Sequence, residues 1–177
     1  MTRVLIGYAS KHGSTAEIAE VIADMMRASG LQVDCRPLSE IDSLKDYDAV
    51  VRGCALYINA WRHEARRFLH QHADELSERP LWVFSSGPVG ESAGALEPAS
   101  LDPKRVMAEV ERLGAREHVV FGGRLATAPP GPLERALVRR TPERYRDRRY
   151  WAEIREWAAR IADALVTSDQ AVTPQSS

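Results

Sequence analysis

Ser10, Ser14 and Thr15 cluster around one glycine, Gly13, in the run Val4-Leu-Ile-Gly-Tyr-Ala-Ser-Lys-His-Gly-Ser-Thr15. An apolar segment opens into this hydroxyl-rich loop, and the loop opens an amphipathic run, Ala16–Met26. Such an arrangement builds an anion site. The first turn of a helix has N–H groups without intrahelical acceptors, and the aligned peptide dipoles place partial positive charge there. The three hydroxyls add donors, and Gly13 lets the backbone curl with no Cβ in the way. A phosphate monoester is the natural guest. The alternative is an ordinary turn in which Ser10 or Ser14 caps the helix. The loop has neither G-x-G-x-x-G nor, although Lys11 is near, G-x-x-x-x-G-K-[ST], so it is not a dinucleotide fingerprint or a nucleotide P-loop.

Two further loops carry usable chemistry. In Arg52-Gly-Cys-Ala-Leu-Tyr-Ile-Asn-Ala-Trp61 a glycine follows a buried strand, allowing a ligand close to the backbone. Tyr57 offers a face for a flat aromatic ligand, with Ala55 and Leu56 beside it. The alternative is that Tyr57 and Trp61 pack on the next helix. In Ser85-Ser-Gly-Pro-Val-Gly90, the hydroxyls of Ser85 and Ser86 and the amides around Gly87, Pro88, Val89 and Gly90 read equally well as a polar rim or a simple turn.

The elements that must position these loops alternate in type. Strands are expected at Arg3–Tyr8, Leu31–Cys35, Asp48–Gly53, Pro80–Ser85 and Glu117–Gly122. Helices are expected at Ser14–Ser29 (Ile18, Val21, Ile22 and Met25 facing in, Gly30 as the stop), Glu64–Leu76 (Phe68, Leu69 and Leu76 facing in) and Pro103–Leu113, ended by Gly114. A short extra helix is expected at Pro132–Arg140. A closing helix at Tyr150–Val166 carries Trp151, Ile154, Trp157, Ile161 and Leu165. Pro37–Tyr47 reads as a polar connection, Ser86–Leu101 as loop, and the small polar residues 167–177 as a disordered tail after one domain, 1–166. No internal repeat is visible.

Strands alternating with helices imply an α/β fold: a doubly wound, five-stranded parallel sheet covered on both faces. In such folds ligands bind beyond the carboxyl ends of the strands, at the switch in strand order. The loops after strands one, three and four should therefore converge. One suits a phosphate, one offers an aromatic platform, one offers polar backbone, and the trio matches a mononucleotide with a large planar ring.

Composition removes other classes. The chain has 177 residues, one domain's worth, and a net charge of −1, so no bulk field favours nucleic acid or a membrane surface. No apolar run is long enough to span a bilayer and no signal-peptide pattern opens the chain, so a cytoplasmic location is expected. Cys35 and Cys54 read as buried reduced thiols. A phosphoacceptor receiver domain would need an acidic cluster after strand one and an aspartate ending strand three, where Tyr8-Ala9-Ser10 and Arg52-Gly53 stand. No His/Cys/Asp cluster has metal spacing, since His70 and His72 do not share a helix face. No G-x-S-x-G elbow is present.

Ser10-Lys11-His12-Gly13-Ser14-Thr15 resembles the phosphate loop of the flavodoxin-like family, [ST]-x-T-G-x-[ST], with His12 in place of the threonine. The ring N–H of His12 still offers a donor. The resemblance spans essentially the whole chain up to the tail and implies FMN, its phosphate on Ser10–Thr15 and its ring held by Ala55–Tyr57 and Ser85–Gly90. A narrower resemblance, to the flavodoxin-type, menaquinone-linked protoporphyrinogen oxidases, is carried by Tyr47–Tyr57, Phe68–Leu76, Gly122-Gly-Arg-Leu125 and the closing helix. In that group the loop after strand four is long and basic, whereas Glu91–Asp102 here holds Glu91, Glu97, Asp102 and no basic residue.

Glu134–Arg149 is markedly basic, with Arg135, Arg139, Arg140, Arg144, Arg146, Arg148 and Arg149 against Glu134, Glu143 and Asp147. It reads as a solvated face or as a docking surface for an anionic substrate, an acidic redox partner or acidic headgroups. The functional expectation is an FMN-dependent oxidoreductase of the protoporphyrinogen oxidase kind, with a quinone-like acceptor and no catalytic acid or base from the protein. The alternative is a flavodoxin carrying electrons between protein partners.

Overall fold

Val4, Leu5 and Ile6 are consecutive and all fully buried, which a strand achieves only when both faces are covered. Ala49–Val51 are likewise fully buried, and Leu81–Phe84 are all buried. The computed structural model describes residues 1–10, 13–55, 67–87, 108, 111–124, 135–136, 139, 143 and 146–172. Its strands are β1 (Arg3–Ala9), β2 (Gln32–Pro37), β3 (Ala49–Ala55), β4 (Leu81–Gly87) and β5 (Glu117–Gly122). They form one five-stranded sheet in the order β2-β1-β3-β4-β5, with every neighbouring pair parallel. Strand order reverses beside β1, so the switch point lies between β1 and β3.

The helices are α1 (Ser14–Ala28), α2 (Ala73–Ser77) and α3 (Trp151–Val172), with further helical residues at 67–71. One face of the sheet is covered by α1 and α3. Ile18, Ile22 and Met26 of α1 and Ile154, Trp157 and Ile161 of α3 share a core with Phe84 and Phe121. Trp157 meets both phenylalanines edge-on, at centroid distances of 6.1 Å and 5.7 Å, an arrangement aromatic quadrupoles favour. The other face carries Leu5, Val50, Leu81 and Val83 under Leu38, Leu44, Phe68, Leu69 and Leu76.

Several boundaries differ from the expected ones for identifiable reasons. Strands three and four run on through Ala55 and Gly87, past the expected ends at Gly53 and Ser85. Gly53 is strand interior, not punctuation: a Cβ there would stand 2.2 Å from Phe84 Cζ, so the missing side chain is what admits the ring. Ser85 and Ser86 stay in the ladder although polar because both hydroxyls are bonded. Ser86 and Gly87 are therefore strand, where loop was expected.

The helix expected at Glu64–Leu76 is interrupted at His72, which is buried and has φ −120° and ψ 19°. Its ring packs on Phe68 at 4.8 Å and its Nδ1 lies 3.1 Å from Glu75 Oε1. On α1, Ala19, Ala23 and Met26 are fully buried while Val21 and Met25 are only partly so, because the core-facing stripe lies one residue away from the expected one. Gly30, at φ +87°, ends α1 as expected. The connection after β2 contains a short 3₁₀ turn, Leu38–Glu40. The closing helix continues to Val172, so residues 167–172 are helical where a disordered tail was expected. The expected extra helix at Pro132–Arg140 and the helix at Pro103–Leu113 fall largely outside the described residues, although 135, 136, 139, 108, 111 and 112 are helical.

Candidate ligand site at the carboxyl edge of the sheet

Gly13 takes φ +83° and ψ −19°, the left-handed region that L side chains rarely adopt. It stands at the N-cap position of α1, with no side-chain cap, and its carbonyl accepts the first helical bond from the Glu17 N–H at 2.9 Å. The Gly13 N–H donates to Ser10 Oγ at 3.1 Å. Among the described residues no side chain caps the first turn, whose N–H groups and dipole make the start of α1 electropositive. Among the described residues beyond its chain neighbours, a Cβ on Gly13 would meet Glu17 Oε1 alone, at 3.9 Å, and the constraint they show is conformational.

Each hydroxyl of the loop is fixed by a neighbour. Ser10 Oγ accepts from Gly13. Ser14 Oγ accepts from the Arg124 backbone N–H at 3.1 Å. A hydroxyl that accepts in this way also has a proton it can donate, and among the described residues neither proton has another acceptor. Thr15 Oγ1 and Ser86 Oγ lie 2.7 Å apart, both buried, and join the start of α1 to the end of β4. This bond spans the loops after β1 and β4 directly.

The sequence-predicted residues divide cleanly. Ser10, Gly13, Ser14, Thr15, Ala55, Ser86 and Gly87 come together at the carboxyl edge, Ala55 opposite Ser86 and Gly87 opposite Gly122 in the ladder. Ser85 lies on the other face of β4, with Oγ 2.9 Å from His118 Nε2. Lys11, His12, Leu56, Tyr57, Pro88, Val89 and Gly90 lie outside the described residues, as does Trp61.

A fourth segment, unassigned from the sequence, closes the same edge. The Gly123 N–H donates to Gly87 O at 2.9 Å, and the Arg148 N–H to Gly123 O at 3.1 Å. A Cβ on Gly122 would stand 1.8 Å from Arg148 O, so only glycine lets the two strands of chain approach. Arg124 and Asp147 form an antiparallel bridge there. Above it, Glu17 accepts from Arg124 at 2.7 Å and from Arg149, while Arg149 also binds Asp147 at 2.5 Å and 2.8 Å. Arg149 holds the Asp147 carboxyl below its ordinary range. The Gly122–Gly123 pair after a strand was the signal available for this approach.

On the opposite face His118 is half-buried near the buried Arg52. Burial first, then the Arg52 charge, push the imidazole pKa down. Burial raises the Cys35 thiol to about 12, so it is an inert thiol. Among the described residues no group of three or more His, Cys, Asp or Glu is placed to hold a metal, and no helix is long and apolar enough to cross a membrane.

Residues 5–144 match the family model described as "Flavodoxin domain". The chain belongs to the flavodoxin domain family. A flavodoxin from the domain Archaea superposes with a TM-score of 0.59 at 13% identity, covering 93% of this chain and 99% of that one. Flavodoxin 2 from Bacillus cereus gives 0.58 at 21% identity, covering 94% and 99%. The protoporphyrinogen IX dehydrogenase [quinone] of Escherichia coli K12 is 27% identical over 85 residues, 47% of each chain, so the match spans about half the length of that curated relative. Flavodoxin domains bind FMN. The described residues fit its phosphate: a left-handed glycine at the N-cap, two hydroxyls that can donate, and the first-turn N–H groups of α1.

Proposed function

We propose that this flavodoxin-domain protein is an FMN-dependent oxidoreductase that takes electrons from a reduced porphyrinogen-like substrate and passes them to a quinone-like acceptor. The observation that carries the reading is the loop Ser10–Thr15 at the start of α1, tied across the switch point to β4 by the Thr15–Ser86 bond. Ser10, Gly13, Ser14 and Thr15, with Lys11 and His12 of the same loop, would hold the phosphate. Ala55, Leu56 and Tyr57, and the run Ser86, Gly87, Pro88, Val89 and Gly90, would hold the ring, while Ser85 faces His118 on the other side of β4 and is left out of the site.

Bound FMN supplies the redox chemistry, accepting two electrons and a proton equivalent as hydride and giving them up again. The protein supplies binding, orientation and exclusion of water. Thr15 and Ser86, both buried, fix the distance between the phosphate loop and the end of β4. No side chain of the chain is assigned as acid or base.

The substrate class rests on the likeness to the E. coli dehydrogenase and on the basic segment, in which Arg135 and Arg139 are exposed. Propionate carboxylates suit such a surface. We place the protein in the cytoplasm. The deciding assay mixes the FMN-loaded protein with protoporphyrinogen and a menaquinone analogue. Multiple turnovers are expected, and the triple variant Arg139→Glu, Arg140→Glu, Arg144→Glu should slow them with FMN affinity nearly unchanged. A second reading, an electron carrier between proteins, is favoured by the overall likeness to flavodoxins. Rapid exchange with a protein donor and no porphyrinogen turnover would establish that reading instead.

A further inference from the structure

Two arginines meet one carboxylate beside the phosphate loop, and they are not equivalent. Arg149 is committed: its side chain is 4% exposed, it grips Asp147 through two nitrogens at 2.5 Å and 2.8 Å, it bonds Glu17, and its guanidinium lies 4.6 Å from the Trp151 ring centroid. Among the described residues Arg124 is held at its backbone and at one guanidinium nitrogen. Its N–H is pinned to Ser14 Oγ, and the bridge to Asp147 fixes its main chain. Its side chain is 40% exposed, and among the described residues its guanidinium is held by one bond, NH2 to Glu17 Oε1 at 2.7 Å.

That carboxylate oxygen stands 2.7 Å from the Arg124 guanidinium and 3.9 Å from the point where a Cβ on Gly13 would be. The cation is thus parked one carboxylate away from the loop glycine. A phosphate entering at the start of α1 meets Glu17 as a like charge. If Arg124 turns from Glu17 to the phosphate, it gains a partner whose geometry suits the guanidinium fork, and Glu17 is not stranded, because Arg149 still holds it. Without Arg124 the remaining three groups, Glu17, Asp147 and Arg149, carry one net negative charge, and Arg149 bonds both carboxylates, so each keeps a cationic partner when Arg124 turns away.

We propose that Arg124 is a phosphate-recognition residue of this site, its side chain exchanging Glu17 for the FMN phosphate while its backbone N–H orients the Ser14 hydroxyl. The proposal rests on the reading that Ser10–Thr15 takes that phosphate. The test is titration of the apo full chain with FMN and with riboflavin, following flavin fluorescence, at low and high salt. Arg124→Ala should weaken FMN by about tenfold, the size of one partly exposed charge-assisted bond, and riboflavin by less than twofold. Arg124→Lys should recover part of the loss, and high salt should narrow the gap between wild type and Arg124→Ala. Glu17→Gln should leave FMN binding equal or slightly tighter.

An equal loss for both ligands in Arg124→Ala, or no loss for FMN, overturns the proposal. So does Glu17→Gln weakening FMN by more than twofold, which would make the ion pair a structural tie. Arg124→Gln, which keeps much of the stem, repeats the measurement if Arg124→Ala fails to fold, and melting curves accompany each variant. If the wild type itself binds riboflavin as tightly as FMN, the phosphate-loop reading falls and this proposal with it; wild-type preference for FMN with an indifferent Arg124 overturns this proposal alone.

Discussion

On the face covered by α1 and α3, apolar side chains run almost to the carboxyl edge of β4: Phe84 packs on Phe121 and Trp157, and the next residue on that face, Ser86, bonds Thr15. On the opposite face the same level of the sheet carries Arg52 and His118, and Ser85 bonds His118 across to β5. One face thus uses its last polar group to fasten a helix start to the sheet. The other uses its polar groups within the sheet. The first is a scaffold for the ligand loop, and the second holds an imidazole whose pKa burial and the Arg52 charge push down.

Removing the aromatic keystone of the first face should have the largest effect. Trp157→Ala should lower unfolding free energy by about 4 kcal/mol, through lost burial and the cavity left behind. Overpacking the same face comes next: Gly53→Val, whose Cβ would collide with the Phe84 ring, should cost about 3 kcal/mol. Urea unfolding measures both. If either variant were as stable as the wild type, this face would not be the rigid scaffold described.

The hydroxyl pairs sharpen the contrast at smaller cost. Thr15→Val leaves Ser86 buried without its partner and should cost about 1–2 kcal/mol and weaken FMN binding severalfold. Ser85→Ala should change FMN affinity much less, since its hydroxyl is turned to His118. Equal effects from the two would remove the distinction between the faces.

The smallest effect is the titration of His118. Its folded pKa lies below the ordinary 6.5, so the folded state favours the neutral ring while the unfolded chain takes up a proton below that value. Its contribution to stability is therefore complete above pH 6.5 and is lost as pH falls from there through the lower folded value. His118→Gln should flatten the stability profile in that window. It should leave the acid limb below about pH 4.5, where the hydrogen-bonded carboxyls Asp34, Glu75 and Asp147 titrate, as it was. An unchanged profile near pH 6 would mean that the imidazole titrates as freely folded as unfolded.

How far the sequence went depends on the kind of signal. Continuous apolar runs such as Val4–Ile6 announce buried parallel strands, and the helical period announced α1 and the closing helix α3. The hydroxyl–glycine turn was legible because its chemistry is local: Ser10, Gly13, Ser14 and Thr15 lie within six residues. What was hidden depends on partners far along the chain. Ser85 and Ser86 look alike in sequence, and only their opposite faces, toward His118 and Thr15, separate them. Gly53 reads as a strand terminator until Phe84 is known to lie over it. Arg124 meets Ser14 across 110 positions and Glu17 across 107, a separation no spacing pattern reports.

The most direct test of the account is the affinity of the apo protein for FMN against riboflavin, two ligands that share the ring and differ by the phosphate. If the left-handed Gly13 turn and the start of α1 form the phosphate site, FMN binds far tighter. Gly13→Val, which forces a β-branched residue into φ +83°, then erases most of that difference while riboflavin binding stays close to its wild-type value. Equal affinities for the two ligands in the wild type, or an unchanged preference in Gly13→Val, would contradict it.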